Sequence, residues 1–254
     1  MGEIVQSIDR ALSILELLVD YNEGLGVVEI SEKVNLHKST VYRLLSTLIY
    51  KDYVVQDLGT NKYRVTFKLY ELGNKKLKDI DLLSASKLYT KKLMESVNEV
   101  VHLVVREGNK IVYIDKVEAI NNTIRMASTI GKRNPMYCTS VGKAILAYLP
   151  DEEIKNIWNI SKIEKLTKYT ITDFEEMKKE LDTVREKGYG IDNEENEIGV
   201  RCIGAPIFNR FGEVEGAISI SGPTIRVKEK DIDEISKEVI KYGNLISKEL
   251  GYIN

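Results

Sequence analysis

The segment that most constrains the fold is KSTVYRLLSTLIYKD, which occupies residues 38–52. Its apolar residues recur at intervals of three and four, which predicts an α-helix with one buried face. Those apolar positions are Val41, Leu44, Leu45, Leu48 and Ile49. The opposite face carries hydroxyls and bases instead: Lys38, Ser39, Thr40, Tyr42, Arg43, Ser46 and Thr47. We therefore expect this helix to pack into a small domain and to present its polar face to a partner.

Two helical patterns precede this segment and a hairpin pattern follows it. Residues 7–20 place Ile8, Leu12, Leu15 and Val19 at helical spacing, with Ser7 available as N-cap. A short helix is predicted from about residue 28 to 34, and Asn35 with Leu36 then supplies a tight turn. After residue 51, the segments YVVQD, LGTN and KYRVT predict strand, turn and strand. A helix-turn-helix followed by a hairpin predicts a winged helix.

Charge points to DNA through a local patch, because the whole chain carries a net charge of -2. Between residues 35 and 68, six lysines and arginines stand against two aspartates, a local net charge of +4. The predicted contacts on the third helix are Lys38, Ser39, Thr40, Tyr42 and Arg43, and those on the wing are Lys62 and Arg64. Arg43 is the first choice for a base edge. The alternative is a protein-interaction module, but a helix that starts without acids and a basic wing favour DNA.

The rest of the chain predicts a second domain of another kind. Strands are predicted at VVHLVV, KIVYIDKV, TIRMAS, RCIGAPIF and VEGAISIS. Helices are predicted at CTSVGKAILAYL, DEEIKNIW, DFEEMKKELDTVREKG and KEKDIDEISKEVIKYGNLISKEL. This order indicates an α+β domain with an antiparallel sheet flanked by helices. We divide the chain into a DNA-binding domain at residues 1–75, a linker helix at 76–97 and an effector-binding domain at 98–254.

Three features of the second domain suit a small acidic ligand. A helix start at residues 138–144 has hydroxyls and no carboxylate, so an anion can rest at Val141 to Lys143, although Thr139 or Ser140 is equally an ordinary N-cap. Ser219 and Ser221 share one sheet face with Ala217, which leaves room for a ligand or for close helix packing. Asp192 can accept hydroxyl donors of a sugar acid or lie in a solvated acidic loop.

Catalytic and metal chemistry have little support in the sequence. The chain has only two histidines, His37 and His102, and none of the common hydrolase, phosphate-loop or zinc-protease motifs. Cys138, Cys202, His102 and Asp192 can converge on zinc in three dimensions, but cysteines acting as small buried hydrophobic groups are the better interpretation. We therefore predict that the protein is not an enzyme and has no cofactor.

Nearly the whole chain resembles the IclR family of bacterial regulators. The matching pieces are QSIDRALSILELL, LHKSTVYRLLSTLIYKDYV, NKYRVTFKLYELG, EVVHLVVREG, YIDKVE, PMYCTSVGKAILAYL, GYGIDNEENEIGVRCIGAPIF and AISISGP. The resemblance implies a winged helix, a linker helix and a GAF-like effector domain, assembled as a homodimer or homotetramer. It implies a ligand pocket at Ser140, Val141, Gly142, Asp192, Val200, Cys202, Ser219 and Ser221. Some relatives bind a metal there, which keeps zinc at Cys202 and Asp192 as a minor alternative.

The resemblance also implies a function. Within the family, the chain is most similar to regulators of pectin and hexuronate breakdown that respond to 2-keto-3-deoxygluconate. We expect a repressor of a carbon-catabolism operon that binds double-stranded operator DNA and is controlled by a keto or sugar acid. The acidic N-terminus and the absence of a long apolar run predict a cytoplasmic protein with no membrane partner. The competing hypothesis is a zinc-binding or hydrolytic GAF-like domain with an appended protein-interaction module.

Overall fold

A computed structural model describes residues 4–78, 81–119 and 126–253 of the chain. The internal contacts divide the chain into two compact units, Met1–Asp79 and Ile80–Asn254. Within the described ranges, no helix combines the length and the apolar character needed to cross a bilayer.

The first unit is the predicted winged helix. Its elements are α1 (Gln6–Val19), α2 (Val27–Lys33), α3 (Lys38–Tyr50), β1 (Val54–Gln56), β2 (Tyr63–Val65) and α4 (Lys68–Lys78). The two strands pair as an antiparallel hairpin. Asn35 has a φ of 51°, and this left-handed residue makes the turn between α2 and α3, as expected. The predicted cap at Ser7 is wrong, because α1 begins at Gln6 and its N-cap, Val5, makes no side-chain cap hydrogen bond.

Of the α1 stripe that the sequence pattern suggests, only Leu15 lies in the core of this unit. Ile14, Leu15 and Leu18 are buried, whereas Ile8 is 59% exposed and Leu12 is 52% exposed. The helix has apolar residues on more than one face, so spacing predicts the helix without showing which stripe meets α3. In α3 the predicted stripe is largely confirmed, with Val41, Leu45 and Leu48 buried.

The second unit is built on a six-stranded antiparallel sheet with strand order β5-β4-β3-β8-β7-β6. The strands are β3 (Val100–Glu107), β4 (Lys110–Val117), β5 (Arg133–Pro135), β6 (Gly190–Asn193), β7 (Val200–Phe208) and β8 (Val214–Pro223). The helices are α5 (Asp81–Val97), α6 (Ser140–Leu146), α7 (Asp151–Ile160), α8 (Phe174–Lys187) and α9 (Ile232–Glu249), with a short 3-10 turn at Glu229–Asp231. The predicted α+β class is confirmed.

The sheet separates two helical layers, and small residues set how closely they approach. On one face, α6 packs against β6 and β7 at two glycines, where a Cβ on Gly190 would lie 2.7 Å from the Ser140 carbonyl oxygen. A Cβ on Gly204 would lie 2.9 Å from the Val141 nitrogen. Helices α7 and α8 add their apolar residues to the same core cluster as α6. Helices α5 and α9 cover the other face.

Two short strands of this unit were not predicted, and two predicted elements extend into residues outside the described ranges. The predicted strand TIRMAS falls partly on residues 120–125, which lie outside the described residues, and residues 126–129 form no strand. The short strands β5 and β6 were not predicted, because three or four residues give too little alternation to detect. A linker helix over 76–97 stays a prediction, because α4 and α5 belong to different units and residues 79–80 lie outside the described part.

Candidate functional site

The outward face of α3 is the first candidate site. The structure leaves Lys38, Ser39, Tyr42 and Arg43 exposed and Thr40 half-buried. Tyr42, at 60% exposure, is a large side chain free to contact a partner. The sequence-predicted polar face is therefore presented as a single surface.

The start of α3 adds a favourable electrostatic feature. Its N-cap, His37, makes no side-chain cap hydrogen bond, and the first turn has no acidic residue. The positive end of the helix dipole is therefore not neutralised by this helix's own side chains. Such an end favours a negatively charged partner such as a phosphate.

The wing is held at its tip and at its base. At the tip, one carboxylate oxygen of Asp57 accepts hydrogen bonds from the Gly59 and Thr60 nitrogens at 2.9 and 2.8 Å, and these bonds lower the Asp57 pKa. At the base, Tyr63 is buried, and its backbone bonds with Leu25. The predicted contacts Lys62 and Arg64 flank Tyr63, so alternation along β2 puts them on the opposite side from the core.

The second candidate site lies on the sheet face that α6 covers. The register places Asp192 opposite Cys202 and Cys202 opposite Ser221, across three neighbouring strands. The next row on the same face contains Gly204, Ser219 and His102. The sequence-predicted ligand residues of three separate segments are thus brought together beneath the start of α6.

Two buried hydroxyls in this region are unused. Ser140 and Ser219 are each 2% exposed, and neither side-chain hydroxyl makes a hydrogen bond to another residue in the described part of the chain. They are close neighbours in the fold, because Gly204, the cross-strand partner of Ser219, also abuts the Ser140 backbone. Both hydroxyls therefore keep their hydrogen-bonding capacity for a ligand or a water molecule.

Asp192 combines a structural bond with a free acceptor. Its Oδ1 accepts hydrogen bonds from the backbone nitrogens of Glu195 and Asn196 at 2.8 and 3.2 Å, and the residue is only 2% exposed. These two observations rule out the interpretation of Asp192 as part of a solvated acidic loop. Its Oδ2 accepts no hydrogen bond from any described residue. Burial raises the Asp192 pKa to about 7, so this carboxyl can gain or lose a proton near neutrality.

A chain of hydrogen bonds involving His102, which the sequence suggested only as a candidate zinc ligand, extends the cluster. His102 Nε2 lies 2.6 Å from the Ser128 hydroxyl, and Nδ1 lies 3.3 Å from the Ser221 hydroxyl. Ser221 donates to the Cys202 sulfur at 3.0 Å. Burial lowers the His102 pKa to about 3, so the imidazole is neutral and has one donor and one acceptor nitrogen, as this chain requires.

The remaining predicted ligand residues have other roles. Thr139 is the N-cap of α6, and its hydroxyl accepts the Gly142 N–H at 3.2 Å, while the Lys143 N–H is bonded to the Thr139 carbonyl. The predicted anion position at Val141 to Lys143 therefore has two of its three N–H groups occupied. Gly142 serves packing, since a Cβ there would collide with the Met136 backbone. Val200, at the start of β7, is half-buried and pairs with Pro223.

The zinc hypothesis gains no support from the geometry. Within residues 4–78, 81–119 and 126–253, no group of three or more histidines, cysteines, aspartates or glutamates is suited to hold a metal ion. Burial raises the pKa of Cys138 to about 12 and also raises that of Cys202, so both are held as thiols rather than as metal-binding thiolates.

A buried ion pair stands beside the cluster and was not predicted. The Lys143 ammonium, 1% exposed, lies 2.6 Å from Glu195 and 2.7 Å from Glu180. Burial alone would lower the Lys143 pKa, but the two carboxylates raise it above its ordinary value. The pair fixes the loop after β6, including the residues that bond to Asp192, to helices α6 and α8.

Two family models match the chain, and together they cover most of it. Residues 7–58 match the IclR helix-turn-helix domain, and residues 74–248 match the C-terminal domain of the bacterial transcriptional regulator IclR. The chain belongs to the IclR family. The chain is thus a transcription regulator and not an enzyme, and the zinc-binding or hydrolytic hypothesis is not supported.

Individual IclR-family relatives agree with this assignment. The regulator KdgR of Escherichia coli K12 is 40% identical over 98% of this chain and 94% of its own length. The DNA-binding transcriptional repressor YiaJ of the same organism is 34% identical over 97% of this chain and 88% of its own. The crystal structure of the Thermotoga maritima IclR superposes with a TM-score of 0.86 at 34% identity, over 98% of this chain and all of that one. The similarity to KdgR supports the predicted subgroup.

Proposed function

We propose that this protein is a repressor of a carbon-catabolism operon and that a keto or sugar acid controls its affinity for operator DNA. The observation that carries the effector proposal is the set of unused polar groups beneath α6: the Ser140 and Ser219 hydroxyls and Asp192 Oδ2. Polar groups at convergent positions in a buried region are the usual specificity elements of a small-molecule site. The similarity to the regulator KdgR supports control of transcription, and the similarity to the repressor YiaJ supports the repressor role.

The chemistry of these polar groups fits a polyhydroxylated acid better than an apolar ligand. Ser140 and Ser219 can each donate a hydrogen bond to a carboxylate or keto oxygen, and the ionised Asp192 can accept a hydrogen bond from a ligand hydroxyl through Oδ2. The carboxylate of a ligand and the ionised Asp192 repel each other. An acid with few hydroxyl groups to bond with Asp192 should therefore bind best when Asp192 is protonated. We therefore propose a ligand that places its hydroxyl groups at Asp192 and its carboxylate toward the serines.

On the DNA side, we propose that α3 enters the major groove and that the wing contacts the flanking backbone. Arg43 reads a base edge, Tyr42 contacts the groove, and Lys38, Ser39 and Thr40 contact phosphate at the start of the helix. Lys62 and Arg64 hold the wing to the DNA. We propose that two such heads in a homodimer, or in a homotetramer built from two dimers, read a palindromic operator in the cytoplasm.

Effector control needs only a modest free energy. A hundredfold change in operator affinity corresponds to a coupling of about 2.7 kcal/mol between the two sites. The ligand must bind one of two protein conformations more tightly than the other by that amount.

The test combines DNA binding with a ligand series. Fluorescence anisotropy with a labelled duplex from the gene's own promoter region should show nanomolar binding that 2-keto-3-deoxygluconate or another keto or sugar acid weakens. Ser219→Ala should reduce the response to the acid by at least tenfold in acid concentration, because it removes a buried donor to the ligand. The matched control is Ser96→Ala, since Ser96 is exposed on α5 and its hydroxyl bonds to the Leu93 carbonyl of its own helix.

Binding with no preference for the promoter duplex over a duplex of mixed sequence contradicts the operator proposal. Operator binding that no keto or sugar acid changes contradicts the effector proposal alone. The two parts of the proposal can therefore fail separately.

A further inference from the structure

Arg10 of α1 lies at the junction of two grooves beside α3. One groove, of about 430 Å³, runs between α1 and α3 and is lined by Gln6, Ser7, Arg10, Thr40, Arg43, Leu44 and Thr47. The other, of about 400 Å³, lies at the turn that leads into α3 and is lined by Arg10, Ser31, Asn35, Leu36, His37 and Thr40. Arg10 and Thr40 are the residues that both grooves share. The Arg10 side chain is therefore at the edge of the surface formed by α3.

The charge in these grooves is unbalanced. Neither groove is lined by a carboxylate, while the first contains two guanidinium groups, Arg10 and Arg43. In the described part of the chain, no ion pair involves α1, α2 or α3, and the Arg10 side chain makes no hydrogen bond. Two like charges in one groove repel each other, and a bound anion would relieve this repulsion.

The chemistry of the first groove matches a phosphate diester. A guanidinium offers a rigid pair of donors that fits phosphate oxygens, and the Ser7 and Thr40 hydroxyls add neutral donors beside it. The other lining groups are Gln6, Leu44 and Thr47, and the Thr47 hydroxyl already bonds to the Arg43 carbonyl. No group in the groove competes with an anion for Arg10.

We infer that Arg10 is a further DNA-contacting residue that binds a backbone phosphate of the operator. The helix-turn-helix pair is α2 and α3, and Arg10 lies on the preceding helix, α1, where it borders Thr40 in the first turn of α3. In the proposed complex that first turn contacts phosphate, so Arg10 lies beside the DNA backbone. The contact is with phosphate rather than with a base, because a residue on α1 is displaced from the face of α3 that enters the groove. This assignment rests on the proposed position of α3 in the major groove.

The experiment measures how DNA affinity depends on salt for the full chain. Two labelled duplexes are titrated between 50 and 200 mM KCl: a 30-base-pair duplex of mixed sequence and a duplex from the gene's promoter region. Each lost phosphate contact lowers the slope of log affinity against log salt by about 0.9 per bound protomer, which at 0.1 M salt is a roughly eightfold loss of affinity. We expect Arg10→Ala to show both losses to the same degree on both duplexes.

Two further variants separate charge from structure. Arg10→Lys keeps the positive charge and should keep the wild-type slope, with a loss of affinity of no more than a few-fold from the missing second donor. Arg210→Ala removes the same charge from the other unit, on an exposed hairpin turn, and should leave both slope and affinity unchanged. Circular dichroism and thermal unfolding check that each variant folds.

Arg43→Ala, measured in parallel, distinguishes failure of this inference from failure of the proposed DNA surface. If Arg43→Ala weakens binding and Arg10→Ala changes neither slope nor affinity, Arg10 does not bind phosphate and the α3 surface stands. If neither variant changes binding, both assignments are wrong. A loss confined to the promoter duplex, or a loss of affinity at constant slope, also overturns the phosphate assignment.

Discussion

The buried Lys143 ion pair allows a quantitative prediction about the effector unit. Replacing Lys143 with methionine keeps most of the side-chain volume but leaves Glu195, whose side chain is 7% exposed, without its counter-ion. One oxygen of Glu195, Oε2, already has no hydrogen-bond partner within the described residues, so the carboxylate then depends on few remaining contacts. Removing one partner of a buried pair typically costs about 3–5 kcal/mol.

We therefore expect Lys143→Met to lower the free energy of unfolding of the second unit by about 3–5 kcal/mol. For a unit of this size, each kcal/mol lowers the Tm by about 2–4 °C, so a decrease near 10 °C is expected. Trp158 is the single tryptophan of the chain and packs against Tyr137 and Phe174 in this unit. Its fluorescence during urea titration therefore reports the unfolding of the unit without interference from the DNA-binding unit.

Two variants test the reasoning. The double variant Lys143→Met with Glu195→Gln removes the unpaired charge and should recover at least about 2 kcal/mol of the loss. Lys162→Met breaks an exposed pair with Glu164, in which the lysine side chain is 87% exposed, and should change nothing measurable. A loss below about 1 kcal/mol for Lys143→Met, or no recovery in the double variant, would refute the claim that a buried charge pair fixes the loop after β6.

Three further predictions concern the same unit. His102, with a pKa lowered to about 3 by burial, takes up a proton between pH 3 and 6.5 only after unfolding, so its contribution to stability is lost as the pH falls below 6.5. Asp192, with a pKa raised to about 7 by burial, holds a proton between about pH 4 and 7 in the folded state but not in the unfolded state. Its contribution to stability is therefore present at low pH and is lost as the pH rises through this range. The measured quantity is the unfolding free energy at pH 5 minus that at pH 6.5, obtained from urea titrations. Compared with wild type, His102→Gln should raise this difference by about 2 kcal/mol, and Asp192→Asn should lower it by a similar amount. Equal pH profiles for both variants and wild type would contradict this prediction. Gly142→Ala should cost about 1–3 kcal/mol in thermal unfolding because its Cβ collides with the Met136 backbone, whereas Gly73→Ala, where nothing lies within 4 Å, should stabilise α4 by up to about 1 kcal/mol. Thr139→Ala should destabilise the unit by about 1 kcal/mol in the same assay by removing the α6 cap, and Thr139→Ser should restore most of it; equal effects of the two would show that the cap hydroxyl is unimportant.

The sequence by itself determined the DNA-binding unit and the class of the second unit. Helical spacing and the basic outward face of residues 38–52 are local properties, and an exposed helix face is set by its own residues. The alternation in β8 likewise predicted a strand with Ser219 and Ser221 on one face, and the structure confirms this arrangement. These features depend on neighbours within about ten residues of the chain.

Only the tertiary structure decided which polar groups are free and which are already bonded. Thr139 and Ser140 are adjacent in the sequence and chemically similar, yet the first caps α6 and the second has an unused hydroxyl beside Gly204. His102 joins Ser128 and Ser221, and Lys143 meets Glu180 and Glu195, across separations of 26 to 119 residues. No spacing rule reports such meetings, because they follow from strand register and helix packing and not from local backbone preference.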